Sequence, residues 1–295
     1  MSQTISRVAK VELFHVAVPL PATFRPAWIP GMPSNENRFT LVKITTEDGI
    51  EGYSAGPAIG RERAGLGDVL GPYLLGEDAT DIALIQQRLR EIAYLGWRNW
   101  WIEPAFWDIK GKIEGKPVYE LLGGPPCTVR LYASTGEVKS PNERIHEVEA
   151  RLAEGFTTVK LRVHDADEAV DISHVVETAQ AFGDRAKLAV DANQGWRVTI
   201  IGDSPKWDLD RAKRFADACA DVNVAWIEEP LAMDGYDDLT ALTSYSRVPI
   251  AGGELHSSGL PELEMMIQRR CYDVFQPDAV FTGGIAQTIE VARLC

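Results

Sequence analysis

Apolar and polar positions alternate along the first part of the chain and then change rhythm. From Val8 to Leu20, VAKVELFHVAVPL alternates loosely, and FTLVKITTEDGIEGYSAG (Phe39 to Gly56) carries two strand-like runs around Asp48-Gly49. A period of two buries one face of a strand, and Asp-Gly is a hairpin signal, so a small antiparallel sheet is predicted. Between these runs PATFRPAWIPGMPSNEN is rich in Pro, Gly and Asn, which predicts a long loop, one that would serve as a lid. Helical spacing follows in DATDIALIQQRLREIA and in IEPAFWDIKGKIEGKPVYELLGG, where Ile109, Ile113, Val118 and Leu121 recur and Gly123-Gly124 supplies a stop.

After Gly124 the pattern becomes a repeated unit, a short β-branched run followed by a polar amphipathic helix. The runs are VRLYAST, TTVKLRV, KLAVDAN, VAWIEEP, VPIAGGE and DVFQPDAV, separated by helical segments such as NERIHEVEARLAEG and LDRAKRFADACAD. Strands alternating with helices predict βαβ units and a parallel sheet. Six such units with no phosphate-binding glycine fingerprint after the first strand favour a TIM-type (β/α)8 barrel, with an open α/β sheet as the alternative. The expected organisation is an α+β capping domain over residues 1–125 and a barrel domain over residues 126–295. Because Cys295 falls in the helix after the sixth run, the barrel is expected to be truncated there.

Composition narrows the partners. The 295 residues are 45% hydrophobic and 25% charged, with a formal net charge of -13. That balance argues against nucleic acid and anionic membranes, which need a basic face, and leaves small molecules. Cys127, Cys219, Cys271 and Cys295 contain no CxxC pair, and no apolar stretch near Met1 is long enough for a signal peptide or a span, so a reducing, cytoplasmic setting is expected.

In a parallel barrel the chemistry sits at the C-terminal mouth, so charges at strand ends are the candidates. Lys160 and Arg162 end the second run, Asp191 the third, Glu228 the fourth, Glu254 the fifth and Asp278 the sixth. Three carboxylates on adjacent strand ends repel one another unless a cation keeps them ionised. An all-oxygen set with room for water and substrate suits Mg²⁺ better than Zn²⁺. Asp191, Glu228 and Glu254 are therefore the expected ligands; strand alternation points Glu229 the other way. The bland alternative makes each acid a helix cap or a solvated loop charge.

WDIKGKIEGKPVYELLGG, VKLRV, VDANQGW, WIEEP, AGGE and QPDAVFTGGI together resemble the mandelate racemase and muconate lactonizing enzyme family of the enolase superfamily. The resemblance runs from about Val8 to the end of the chain. It implies a modified barrel under a capping domain, Mg²⁺ on Asp191, Glu228 and Glu254, and abstraction of a proton α to a carboxylate to give an enediolate. The acid Glu254 with Asp278 after strand six looks like the mandelate racemase branch, where that Asp orients a His on strand seven. No such His stands in this chain, and Lys160-Leu161-Arg162 replaces the frequent Lys-x-Lys. Arg is a poor general base but a good carboxylate holder, which shifts the expectation from racemisation towards one-sided dehydration.

The resemblance also implies that Asn193 contacts substrate, whereas the residue type alone reads equally as a turn former. His256, two residues after Glu254, would either protonate a leaving hydroxyl or cap the next helix. Arg25, Trp28, Arg61 and Arg63 lie in loops placed to close over the mouth and grip a distal hydroxyl or carboxylate, or else are solvated. Trp100 and Trp101 are expected between the domains, and Gly283-Gly284 reads as a tight turn or a phosphate cradle. The leading expectation is a Mg²⁺-dependent hydro-lyase acting on an acid-sugar carboxylate, with Lys160, Arg162 and Asp278 as catalytic residues, in a homo-oligomer. The alternatives are a racemase or epimerase of a 2-hydroxy or amino acid derivative, and a catalytically inactive barrel that binds ligand or a sister subunit.

Overall fold

The computed structural model describes residues 5–58, 65–96, 98–196, 202 and 206–295. The N-terminal sheet consists of β1 (Val8–Phe24), β2 (Ser34–Thr46) and β3 (Glu51–Pro57), antiparallel in the order β1-β2-β3. Val42 and Ile44 on the central strand are fully buried, as alternation requires. The predicted long loop is shorter than expected: β1 continues to Phe24, β2 begins at Ser34, and Phe24 pairs with Ser34. Pro19 and Pro21 are tolerated because β1 pairs only with β2 and is an edge strand, where a missing N–H costs no ladder bond. This outer part of the hairpin is exposed on both faces, so it carries no hydrophobic alternation that would have marked it as strand.

Four helices cover the sheet: α1 (Leu66–Leu74), α2 (Ile82–Tyr94), α3 (Pro104–Glu114) and α4 (Val118–Leu121). Asp81 caps α2 by accepting the Leu84 amide at 3.0 Å. The pattern read as one helix up to Gly123 is broken into α3 and α4, because Gly115 adopts φ 65° at the end of α3 and Pro117 forces a new start. Leu70, Leu74, Ile85, Leu89, Ile92, Phe106 and Ile109 pack with Val42 and Ile44 into one core. Gly52 lets α3 lie directly on β3, since a Cβ there would stand 2.1 Å from the Ala105 carbonyl oxygen.

The remaining chain alternates β4 (Ala133–Ser134), α5 (Pro141–Ala153), β5 (Thr158–Arg162), α6 (Glu168–Phe182), β6 (Lys187–Asp191), α7 (Leu209–Asp221), β7 (Ile227–Glu228), α8 (Tyr236–Tyr245), β8 (Ile250–Gly252), α9 (Leu260–Gln268), β9 (Val274–Phe275) and α10 (Gly284–Leu294). The six predicted runs each contain one of these strands, and the strands lie parallel in chain order. Val190, Ile227 and Ile250 pack outward against Phe215, Leu242 and Met266 of the helices. The sheet curls: the rings of Tyr132, next to β4, and Trp226, next to β7, approach to 5.0 Å although two strands lie between them. This is a barrel's curvature rather than that of an open sheet.

The two parts meet at defined points. The β1–β2 tip docks on the loop after β4, with the Ala27 amide donating to the Gly136 carbonyl at 2.9 Å and the Arg25 amide to Glu137 Oε1 at 2.7 Å. Trp100 and Trp101 are buried in the N-terminal core, which Val280, Ile285 and Ala286 of the barrel join, so they do pack where the parts meet. At the start of α10 the Ile285 and Ala286 amides donate to the Glu103 carboxylate at 2.8 and 3.1 Å. The anion at the Gly283-Gly284 turn is thus a side chain of this chain. No described helix is long and apolar enough to cross a membrane.

Candidate active site

The strand ends place the predicted charges as the alternation requires. Lys160 and Arg162, two residues apart on β5, turn to the same side, and both reach the Asp191 carboxylate at the end of β6. Asp191 pairs in register with Glu228 of β7. The Lys160 ammonium lies 2.7 Å from Glu228 Oε1 and 3.4 Å from Asp191 Oδ2, bridging two carboxylates. All four side chains are at most 9% exposed.

Arg162 is tied down on several sides. Its Nε donates to the Thr135 carbonyl at 2.7 Å, one terminal nitrogen serves Asp191 and the Asn193 carbonyl oxygen at 3.1 Å, and the other reaches Ser134 Oγ at 3.5 Å. The Trp28 ring, from the β1–β2 tip, covers the guanidinium at 5.1 Å. Asn193 adopts φ 48° and its amide donates to Asp191 Oδ1 at 2.8 Å, so its backbone is a turn and its side chain is part of the site.

Glu228 carries further donors on its second oxygen, the Trp226 indole N–H at 3.3 Å and Gln276 Nε2 at 3.1 Å. The amide oxygen of Gln276, Oε1, is buried and has no hydrogen-bond partner. Glu254 and Asp278 join Lys160, Arg162, Glu228 and Gln276 around a cavity of about 340 Å³. Asp278 accepts the Val280 amide at 2.6 Å, and Thr282 Oγ1 donates to the Glu254 carbonyl at 3.2 Å, which fixes the loop after β9 against the one after β8. Among the described residues, no three His, Cys, Asp or Glu converge closely enough to chelate an ion as the side chains stand.

Electrostatics follow from burial. Burial pushes Asp191 up to about 7 against the pull of Arg162 and Lys160, whereas for Glu228 the Lys160 contact outweighs burial and holds it below the ordinary carboxylate value. For Lys160, burial works against the charged form, but Asp191 and Glu228 more than offset it, so it stays an ammonium. Glu254 is raised by burial and then by Glu228 and Asp278.

Glu229 lines neither this cavity nor the one beside Trp28, in keeping with its turning away from Glu228. The strand stops at Glu228, Glu229 takes φ 45°, and its carboxylate packs on Gly195 in the loop after β6, where a Cβ would stand 2.5 Å from Cδ. It is buried, and burial, then Asp191, Glu254 and Glu228, drive its pKa well up. His256 is 1% exposed, with Nδ1 3.0 Å from Glu262, and lines neither this cavity nor the neighbouring one under Trp28. Arg25 is exposed and lines a separate cavity of about 430 Å³ beside the β1–β2 tip. Arg61 and Arg63 lie outside the described residues. Sequence reasoning missed Gln276; the Gln-Pro-Asp run was read only for its acid.

The family model "Mandelate racemase / muconate lactonizing enzyme, N-terminal domain" matches residues 10–123, and "Enolase C-terminal domain-like" matches residues 143–295. The chain is 28% identical to the arabinonate dehydratase of Saccharolobus solfataricus, over 90% of this chain and 72% of that one. It is 30% identical to the L-talarate/galactarate dehydratase of Salmonella typhimurium, over 89% and 66%. With the L-Ala-D/L-Glu epimerase of Bacillus subtilis it shares 28% identity, over 95% and 75%. A solved structure of an L-talarate/galactarate dehydratase mutant liganded with Mg and L-glucarate superposes with a TM-score of 0.84 at 27% identity, covering 99% of this chain and 74% of that one. The chain thus spans about two thirds to three quarters of the length of these relatives. Two family models in the expected order, over the fold and strand-end charges described above, establish that the chain belongs to the mandelate racemase and muconate lactonizing enzyme family of the enolase superfamily.

Proposed function

We propose that the protein abstracts the proton α to a carboxylate and eliminates a β-hydroxyl, a Mg²⁺-dependent dehydration of an acid sugar. The observation that carries this reading is the Lys160 bridge between Asp191 and Glu228 at a mouth shared with Glu254 and Asp278. The residues fit a hard divalent cation: the candidate donors are carboxylates only, and two of them, Asp191 and Glu254, are pushed towards protonation by desolvation and by the Glu228 charge beside them. Asp191, Glu228 and Glu254 would hold the ion, and Lys160 now bridges two of them. When bound, the cation supplies charge stabilisation for the carboxylate oxygens as the α-carbon loses its proton.

The chain's own groups account for the rest. Lys160 and Arg162 put two positive charges beside the substrate carboxylate, which lowers the cost of the second negative charge that builds up there. Lys160 is the amine lining the cavity among the described residues; it is an ammonium while Asp191 and Glu228 hold its charge, and it would take the α-proton on that face as the neutral amine, regaining its positive charge as the proton arrives. Asp278, four strands further round, supports proton transfer at the cavity's other margin. As the α-proton goes to the base, the β-carbon–oxygen bond breaks and hydroxide leaves with a proton as water, giving a keto-deoxy acid. The names of two relatives, arabinonate and L-talarate/galactarate dehydratase, support dehydration.

Epimerisation is the second reading, supported by the epimerase relative. Against it stands Arg162, which is held by Asp191, Asn193 and Thr135 and is almost always protonated. Incubation with candidate acids and Mg²⁺ in D2O separates the two. A keto-deoxy product supports dehydration, recovered substrate with an inverted, deuterated α-carbon supports epimerisation, and absence of both overturns proton abstraction.

A further inference from the structure

Next to the charged cavity lies a second chamber of about 300 Å³, and its chemistry is different. Arg162 and Glu254 belong to both chambers, so the second is the continuation of the first away from Lys160 and Glu228. Its remaining walls include Trp28, Trp196, Phe281 and Leu255. Three aromatic rings and an aliphatic side chain thus face a molecule whose carboxylate is held at the Lys160 end.

Among the described residues that line this chamber, the charged ones are one cation and one anion. The cation, Arg162, is committed: Nε to Thr135, one terminal nitrogen to Asp191 and Asn193, the other at long range to Ser134, and the Trp28 ring over its face. The neighbouring buried cation, Arg144, is committed too, to Glu147 and to the Glu137 carbonyl at 2.5 Å. A second carboxylate placed here would meet the Glu254 side chain, and among the described lining residues no cation free to pair with it. A carbon chain or ring with hydroxyls would instead lay its C–H faces on the indole and phenyl rings and lose little hydration.

Resting on the proton-abstraction reading for which end of the substrate is held, we propose that the distal end is uncharged. The substrate class is then the monocarboxylic sugar acids and related hydroxy monoacids, with Trp28, Trp196 and Phe281 selecting against diacids. The selection is a difference between two binding free energies, set by an unpaired charge against the wrong ligand as much as by contacts to the right one.

The test compares an aldonate with the aldarate of equal carbon number and matching stereochemistry, in Mg²⁺, by two readouts. One is calorimetric binding, which needs no turnover; the other is α-deuterium incorporation or keto-acid formation in D2O. The aldonate is expected to bind at least tenfold more tightly, and Trp28→Ala to lower its affinity about tenfold while the gap between the two acids narrows. Phe281→Leu, milder in volume, should lower it less and in the same direction. Equal binding of the two acids, or preference for the aldarate, overturns the inference even where exchange is rapid. Selective binding of the aldonate with no exchange by any acid sustains the inference and removes the proton-abstraction reading.

Discussion

The Lys160 ammonium lies 2.7 Å from Glu228 Oε1, although β5 and β7 are not neighbours and β6 runs between them. The two side chains meet across β6, and Asp191, on that intervening strand, is the third member of the contact at 3.4 Å. The lysine thus meets the charge of two acids that end largely apolar strands.

Removing that lysine leaves the buried Glu228 carboxylate without its cation and Asp191 with Arg162 alone. Lys160→Met is expected to lower the stability of the metal-free protein by about 3–5 kcal/mol, the usual cost of stranding one partner of a buried pair. Mg²⁺ should then raise the melting temperature of the variant more than that of the parent, because the ion replaces the missing positive charge and stabilises by mass action. Thermal melts of both proteins with and without Mg²⁺ check this, and equal Mg²⁺ shifts would contradict it. Loss of α-proton exchange by about a thousandfold or more should accompany the change.

A second prediction concerns the joint between the two parts. Glu103 is fully buried and accepts from Trp107 Nε1 at 2.9 Å, Gln86 Nε2 at 3.1 Å, and the Ile285 and Ala286 amides. Glu103→Gln keeps the shape but turns an NH2 group towards donors, so about 1–3 kcal/mol of stability should be lost. Because α10 follows the loop that holds Asp278 and Thr282, activity should fall further than stability alone explains. A melt and a kcat measured on the same preparation separate the two effects; an unchanged kcat would show that the joint only stabilises.

How much of this was legible beforehand depended on whether a feature is local. The six parallel strands and the charges at their ends could be read because short β-branched runs and their last residues are set by alternation within a few positions. The barrel alternative was favoured by unit count, and the curl that decides it appears only in long-range pairs such as Tyr132 with Trp226. Glu229, which alternation turns away from Glu228, lines neither cavity, but its burial against Gly195 at a φ of 45° is announced by no propensity. The outer half of the β1–β2 hairpin was read as loop because two prolines and two exposed faces mimic one. Gln276 could not be recognised from its residue type: its meaning lies in Glu228, 48 positions away.

Asp171 gives a stability profile with a definite sign. It is fully buried, accepts the His164 and Asp165 amides at 3.0 and 2.9 Å and Arg211 Nη2 at 2.7 Å, and burial pushes it up to about 6 from 3.8. A raised acid binds more protons folded than unfolded between those values, so stability contributed by this group is present at low pH and falls as pH rises from about 4 to about 6. Asp171→Asn has no proton to lose there. Melting temperature against pH should therefore fall less across that window in the variant than in the parent, whatever its absolute stability. A parallel pair of curves would refute the assignment.

The last prediction separates Gln276 from the charged residues around it. Its Nε2 holds Glu228 Oε2 at 3.1 Å, opposite the oxygen held by Lys160, so the carboxylate is oriented from both ends. Gln276→Leu removes this donor together with the buried, unpartnered Oε1, which makes the change tolerable for folding. What it should damage is the aim of Glu228: partners that orient a metal-holding carboxylate typically carry about 10–100-fold in affinity. Titration with Mn²⁺ followed by electron paramagnetic resonance should show weakening of that order in Gln276→Leu, with partial recovery in Gln276→Asn, whose shorter amide keeps the donor type. Unchanged Mn²⁺ affinity in the leucine variant would mean that Lys160 and Trp226 alone set the position of Glu228, and that the Gln-Pro-Asp run matters here only for its acid.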